Sequence, residues 1–148
     1  MPRPRETPLT GLINDRSWLQ EVRGRWEANL SADQWTSPAH ESLVRLSTRL
    51  VEVALDWCRA SLQANVQQIE GMAQVSGILG REWTGWARRM SADERLPAVA
   101  LVGSLFADAM THVVRRAGRD PRIGVFLSAA FMTWGIFYDK LELVFDED

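Results

Sequence analysis

Apolar residues recur at steps of three and four along most of the chain, the rhythm of amphipathic helices. Trp18, Leu19, Val22, Trp26 and Leu30 form one stripe and predict a helix over 15–30, capped by Asn14 or Asp15. Ser31-Ala32-Asp33-Gln34 resembles a capping box and predicts a short turn carrying Trp35. Ser37-Pro38 opens the next helix. Serine caps it, and proline at the first helical position gives up an N–H that has no partner there. Leu43, Leu46, Leu50, Val53 and Trp57 form its inner face, Leu62, Val66 and Ile69 extend it, and nothing stops it before Gly71.

Met72, Val75, Leu79, Trp83, Trp86 and Met90 keep the rhythm, yet Gly71, Gly77, Gly80 and Gly85 share the stretch. Each glycine costs about 1 kcal/mol against alanine inside a helix, so a break is expected within 71–80, then a helix to about Met90. Such glycines also signal close approach to a neighbouring backbone. Ser91-Ala92-Asp93-Glu94 reads as a capping box, and Pro97 behind it predicts a fresh start or a bend. Leu96, Val99, Val102, Phe106, Met110 and Val113 face inward, and Gly118 ends that helix.

Asp120-Pro121 repeats the cap-plus-proline signature and begins a last helix. Ile123, Phe126, Leu127, Ala130, Phe131, Trp134, Tyr138 and Leu141 supply its expected inner face. Val125, Met132, Ile136 and Phe137 fill much of the remaining circumference, where they form a candidate interaction face. A helix apolar all round is either central in a bundle or seated in an interface. Residues 1–11 hold three prolines and a glycine, and predict an extended arm over 1–13. Strand alternation does not persist anywhere, and no internal repeat is visible. The expected fold is all-α: a single-domain bundle of about five helices over 14–148, mostly antiparallel because the connections are short.

Composition narrows the functional classes. At 148 residues the chain can bury a full core without staples. Seven tryptophans argue against disorder, and each needs apolar cover and a partner for its N–H. The net charge of −2 gives no global attraction to nucleic acid or acidic lipid. Sixteen of the seventeen cations are arginine, the side chain best shaped for phosphate and carboxylate. A single cysteine, Cys58, excludes an intrachain disulfide and suits a reducing, cytoplasmic setting. The longest uncharged run, 123–138, falls short of the roughly 20 residues of a spanning helix, so no membrane span is expected.

Candidate chemistry is sparse. Asp108 and His112, four apart on one helix, make half a metal site at most, and a hydrogen-bonded histidine beside the core is expected instead. His40 falls in the electropositive first turn of its helix and reads as solvated. Cys58 reads as an inert packed thiol beside Trp57. Phosphate loop, zinc cluster and nucleophile elbow are all missing from the sequence, so no enzyme, metal or cofactor is expected. One feature is concentrated: Arg81, Arg88 and Arg89 flank Trp83 and Trp86, and Arg115, Arg116, Arg119 and Arg122 follow. If the intervening helix folds back, the two groups share one end of the bundle. There they could hold a nucleic-acid backbone while an exposed tryptophan stacks on bases.

Leu96-Pro97-Ala98-Val99, then Gly103-Ser104-Leu105 and a long apolar helix, faintly resembles the small helical subunit of class 1 CRISPR effector complexes. The likeness covers about twenty residues, departs from that family's spacing, and sits in an acidic rather than a basic chain. It implies a non-catalytic bundle lining nucleic-acid strands. The function expected from the residues themselves is a non-catalytic helical interaction module, a small subunit or adaptor of a larger assembly. A protein partner or self-association is expected. The alternative is a nucleic-acid-contacting subunit that uses the arginines.

Overall fold

A computed structural model of the chain describes residues 7–30 and 37–147, with the side chains of 37–41 excepted. The expected turn at 31–34, Trp35 and the His40 side chain lie outside the described residues. Among those described there are six helices and no strand: α1 (Pro8–Asn14), α2 (Ser17–Leu30), α3 (Ser37–Gln63), α4 (Val66–Arg88), α5 (Ala92–Ala117) and α6 (Ile123–Phe145). The fold is all-α, with one helix more than expected.

The extra helix is α1, which replaces much of the expected extended arm. Thr7 caps it by accepting the Thr10 N–H, and Pro8 occupies the first turn. Leu9 and Ile13 are fully buried, and each contributes about 1.5–3 kcal/mol of transfer free energy. The helix is held at a distance in sequence. The Leu9 N–H donates to the Asp120 carboxylate (3.2 Å), and the Arg122 guanidinium donates to Thr7 Oγ1 (2.7 Å) and Thr10 Oγ1 (3.0 Å). Asp120 is buried and also accepts the Arg122 N–H (2.9 Å). This clamp ties α1 to the corner between α5 and α6. Asp120 and Pro121 therefore make the turn, and α6 itself begins at Ile123.

The axis of the bundle is α3, not the apolar α6. Every other helix packs on α3. Leu50, Val51, Ala54, Leu55 and Cys58 on successive turns have no solvent exposure. The helix ends well before Gly71. Ala64 adopts a left-handed conformation (φ 49°), and Asn65 caps α4 by accepting the Gln68 N–H. From there α4 runs unbroken through its glycines, correcting the expected break. At Gly80 the close neighbour is a side chain and not the expected backbone, since an added Cβ would lie 3.1 Å from Lys140 Cε, while Gly71 and Gly77 face open space.

Pro97 does not interrupt α5. It is the sixth residue of the helix, and its missing N–H would have met only the Asp93 carbonyl in the opening turn. Arg95 beside it is buried and donates Nε–H to the Ala87 carbonyl (3.0 Å) across the α4–α5 junction. Ser91 marks the start as expected, although its hydroxyl meets the Glu94 carboxylate (2.8 Å) rather than capping a backbone N–H. At the far end, a Cβ on Gly118 would sit 2.6 Å from the Val114 carbonyl oxygen, so only glycine fits. By length and composition α5 is the one helix among the described residues able to cross a membrane. The 123–138 run is not. In this fold Val102, Ala109 and Val113 of α5 are buried in the shared core.

Candidate functional site

The apolar face that α6 leaves uncovered is not the one its pattern suggests. Phe126, Ala129, Thr133, Phe137 and Leu141 point into the core. Of the four residues expected on the interaction face, Phe137 is fully buried, Val125 and Ile136 are half-buried, and Met132 alone is exposed. Phe131, expected inward, is 78% exposed, and Leu127 is exposed beside it. Packing decides the rotation. The Phe137 ring meets Trp83 of α4 edge-on at 5.3 Å and Trp134 at 5.3 Å. Trp134 lies on α6 itself, so it is the Trp83 contact that holds α6 against α4 and turns the Phe131 side out.

The outward side of α6 borders a groove. Although consecutive, α5 and α6 touch sparingly, each packing mainly on α3. They run antiparallel, with Gly103 against Trp134 at one end and Arg115 beyond Leu127 at the other. Gly103 is what lets them close there: a Cβ would lie 3.1 Å from Trp134 Cη2. The open part, about 570 Å³, is lined by Phe106, Met110 and Val114 on α5 and by Leu127, Phe131 and Trp134 on α6. Phe106 stacks on Trp134 with centroids 5.9 Å apart. Gly103, Phe106, Met110 and Val114 span about 16 Å along the α5 axis, three turns of helix. Polar groups are few, Thr111 and Arg115 standing at the rim.

The expected arginine surface is not one patch. Arg89 precedes α5 and Arg115 lies near its end, so the helix holds them about 40 Å apart. Arg88 is paired with Glu147. Arg122 is committed to Thr7, Thr10 and Asp120. Arg81 is exposed, and Arg115, Arg116 and Arg119 project around the α5–α6 corner with no ion pair among the described residues. Trp83 is buried, and Trp86 offers only an edge to solvent (6% exposed). Neither provides an open stacking face.

Asp108 and His112 do not converge on a metal. The Asp108 carboxylate accepts from Arg25 (2.6 Å) and from Trp26 Nε1 (2.9 Å). Burial pushes its pKa up, but these donors hold it below the usual carboxylate value. The His112 ring stacks on Trp18 at 5.1 Å, and its buried Nε2 has no hydrogen-bond partner among the described residues, against the expectation of a hydrogen-bonded histidine. Burial, then the charges of Arg116 and Arg25, lower its pKa. Among the described residues no three potential ligands group around a metal site. Cys58 is fully buried, and burial pushes its thiol up to about 11.

Sequence reasoning did not anticipate a second cleft of about 550 Å³ between α2, α3 and α4, where Arg23, Arg45, Arg49 and Arg89 converge. The only sequence trace of it is Arg45 and Arg49, one turn apart on the polar face of α3. No protein-family model, curated protein or solved structure matches the chain.

Proposed function

We propose that the protein is a non-catalytic helical interaction module, a small subunit or adaptor, whose docking surface is the α5–α6 groove. The occupant is an amphipathic helix of a partner protein, about three turns long, with an acidic residue placed to meet Arg115. The observation that carries this reading is the solvated Phe131 at the lip of an apolar trough. Monomeric proteins seldom leave a large aromatic side chain in water next to an apolar hollow without a use for it. The trough runs about three helical turns along α5, the length over which a partner helix presents apolar anchors at i, i+3, i+4 and i+7 to a groove. Arg115 at the rim supplies charge to fix direction.

The test places a photo-crosslinking residue at position 127, exposed in the same groove, in the cell that makes the protein and identifies the attached peptide by mass spectrometry. The purified chain is examined in parallel by light scattering. The expected result is one attached, helix-forming peptide with acids at one end, lost together with co-purification in Phe131→Glu. A Phe131-dependent dimer would move the reading to self-association, and an adduct-free monomer would remove it.

A second reading, contact with a nucleic-acid backbone, draws on Arg115, Arg116 and Arg119, which have no ion pair among the described residues. It predicts salt-dependent binding of single-stranded RNA or DNA that is lost on Arg115→Glu with Arg116→Glu.

A further inference from the structure

The cleft between α2, α3 and α4 lies apart from the α5–α6 groove, and its lining is of another kind. Three helices bring four guanidinium groups to one hollow: Arg23 from α2, Arg45 and Arg49 from α3, and Arg89 just after α4. Arg23 is paired with Glu27 (3.3 Å) and Arg49 with Glu52 (3.7 Å). The Arg45 and Arg89 guanidinium groups have no ion pair or hydrogen bond among the described residues, although they line the same space. Like charges gathered in a concave site repel each other and focus a positive field, which an anion relieves. The lining is not purely cationic. Glu52 and Glu82 share it, and Leu46 with the edge of Trp86 supplies apolar wall.

We infer that this cleft binds a phosphate-bearing small molecule of nucleotide size. The volume, about 550 Å³, lies within the range of small-molecule sites. Arg45 and Arg89 take the phosphates, since guanidinium forks match phosphate oxygens in pairs. The two carboxylates would oppose a bare inorganic polyanion. They suit a ligand whose other end carries hydroxyl or amine donors, as a nucleoside does. Leu46 and Trp86 lie against its flat apolar part.

Isothermal titration of the full chain with ATP, ADP, pyrophosphate and adenosine at 50 mM salt tests this, with the Trp86 indole N–H resonance followed by NMR. ATP and ADP should bind saturably and shift that resonance, with affinity falling as salt rises, while adenosine should not bind. Arg45→Ala with Arg89→Ala should weaken ATP at least tenfold at an unchanged melting temperature. Arg115→Ala with Arg116→Ala, at the other end of α5, should leave it unaltered. Absence of saturable ATP binding, or equal binding by the Arg45/Arg89 variant, would overturn the site. Pyrophosphate binding as tightly as ATP would overturn the assignment of a nucleoside.

Discussion

Replacing Gly71 and Gly77 with alanine should stabilise the protein, although the two glycines looked like a helix break. Both lie inside α4, neither has a positive φ, and a Cβ at either would meet nothing within 4 Å. Alanine is then a pure gain in helix propensity, about 0.8–1 kcal/mol at each position. The sites are about 9 Å apart along the axis and share no partner, so the gains should add to about 2 kcal/mol. For a chain of this size that corresponds to a rise of about 4–8 °C in Tm. Thermal melts followed by circular dichroism, with urea titration at 25 °C, measure it. Gly103→Ala is the control. Its Cβ would press on Trp134 at 3.1 Å, so ring displacement offsets the propensity gain and its rise should be smaller than either single change in α4. If the double variant melts at or below the parent, residues 71–80 are not helical in the folded protein, and the reasoning from open Cβ positions fails.

Three further outcomes follow from buried polar groups. Asp120→Asn should cost about 1.5–3 kcal/mol at pH 7, the range for hydrogen bonds to a charged group. Burial raises the Asp120 pKa, but hydrogen bonds from Thr7, Arg122 and Leu9 and the Arg122 charge bring it below its ordinary value. The stabilisation is therefore complete above the unfolded carboxyl value and is lost as pH falls through the lower folded one. The urea-midpoint gap between parent and Asp120→Asn should close in acid, and a constant gap would show that the charge is not used. Trp26→Phe removes a donor to Asp108 whereas Trp83→Phe removes none, so the first should cost about 1–2 kcal/mol more by urea titration. Equal costs would count against the Trp26–Asp108 bond. Cys58 should react with a thiol reagent only through unfolding. Its pKa near 11 leaves roughly 100-fold less thiolate at neutral pH than an ordinary cysteine. Immediate labelling of native protein would contradict its burial.

Helical class and most helix positions were legible because periodicity registers burial on one face. The misreadings have separate causes. Thr7-Pro8 carries the same signature as Ser37-Pro38, but seven residues are too few to show a stripe, so α1 read as an arm. Val66 continues the rhythm of α3 and yet is exposed, because Asn65 resets the register after the left-handed Ala64. Around α6 nearly every position is apolar, so the pattern cannot choose a face, and the contact of Phe137 with Trp83 of α4 chooses it. The arginine groups failed as one surface because spacing along the chain does not reveal the 26-residue span of α5, nor which guanidinium is already engaged.

The clamp between α1 and Asp120 bears on how the protein is made. A chain emerging from the ribosome exposes Leu9 and Ile13 well before their anchor, which is translated 111 residues after Leu9. Until then α1 can rest on α3 and α5 but lacks the hydrogen bonds to Asp120 and Arg122 that fasten it, and its greasy side chains stay available to chaperones or to neighbouring nascent chains. An early helix is thus fastened late, so a stall before position 120 should leave a product prone to aggregation even with α2 to α4 already assembled.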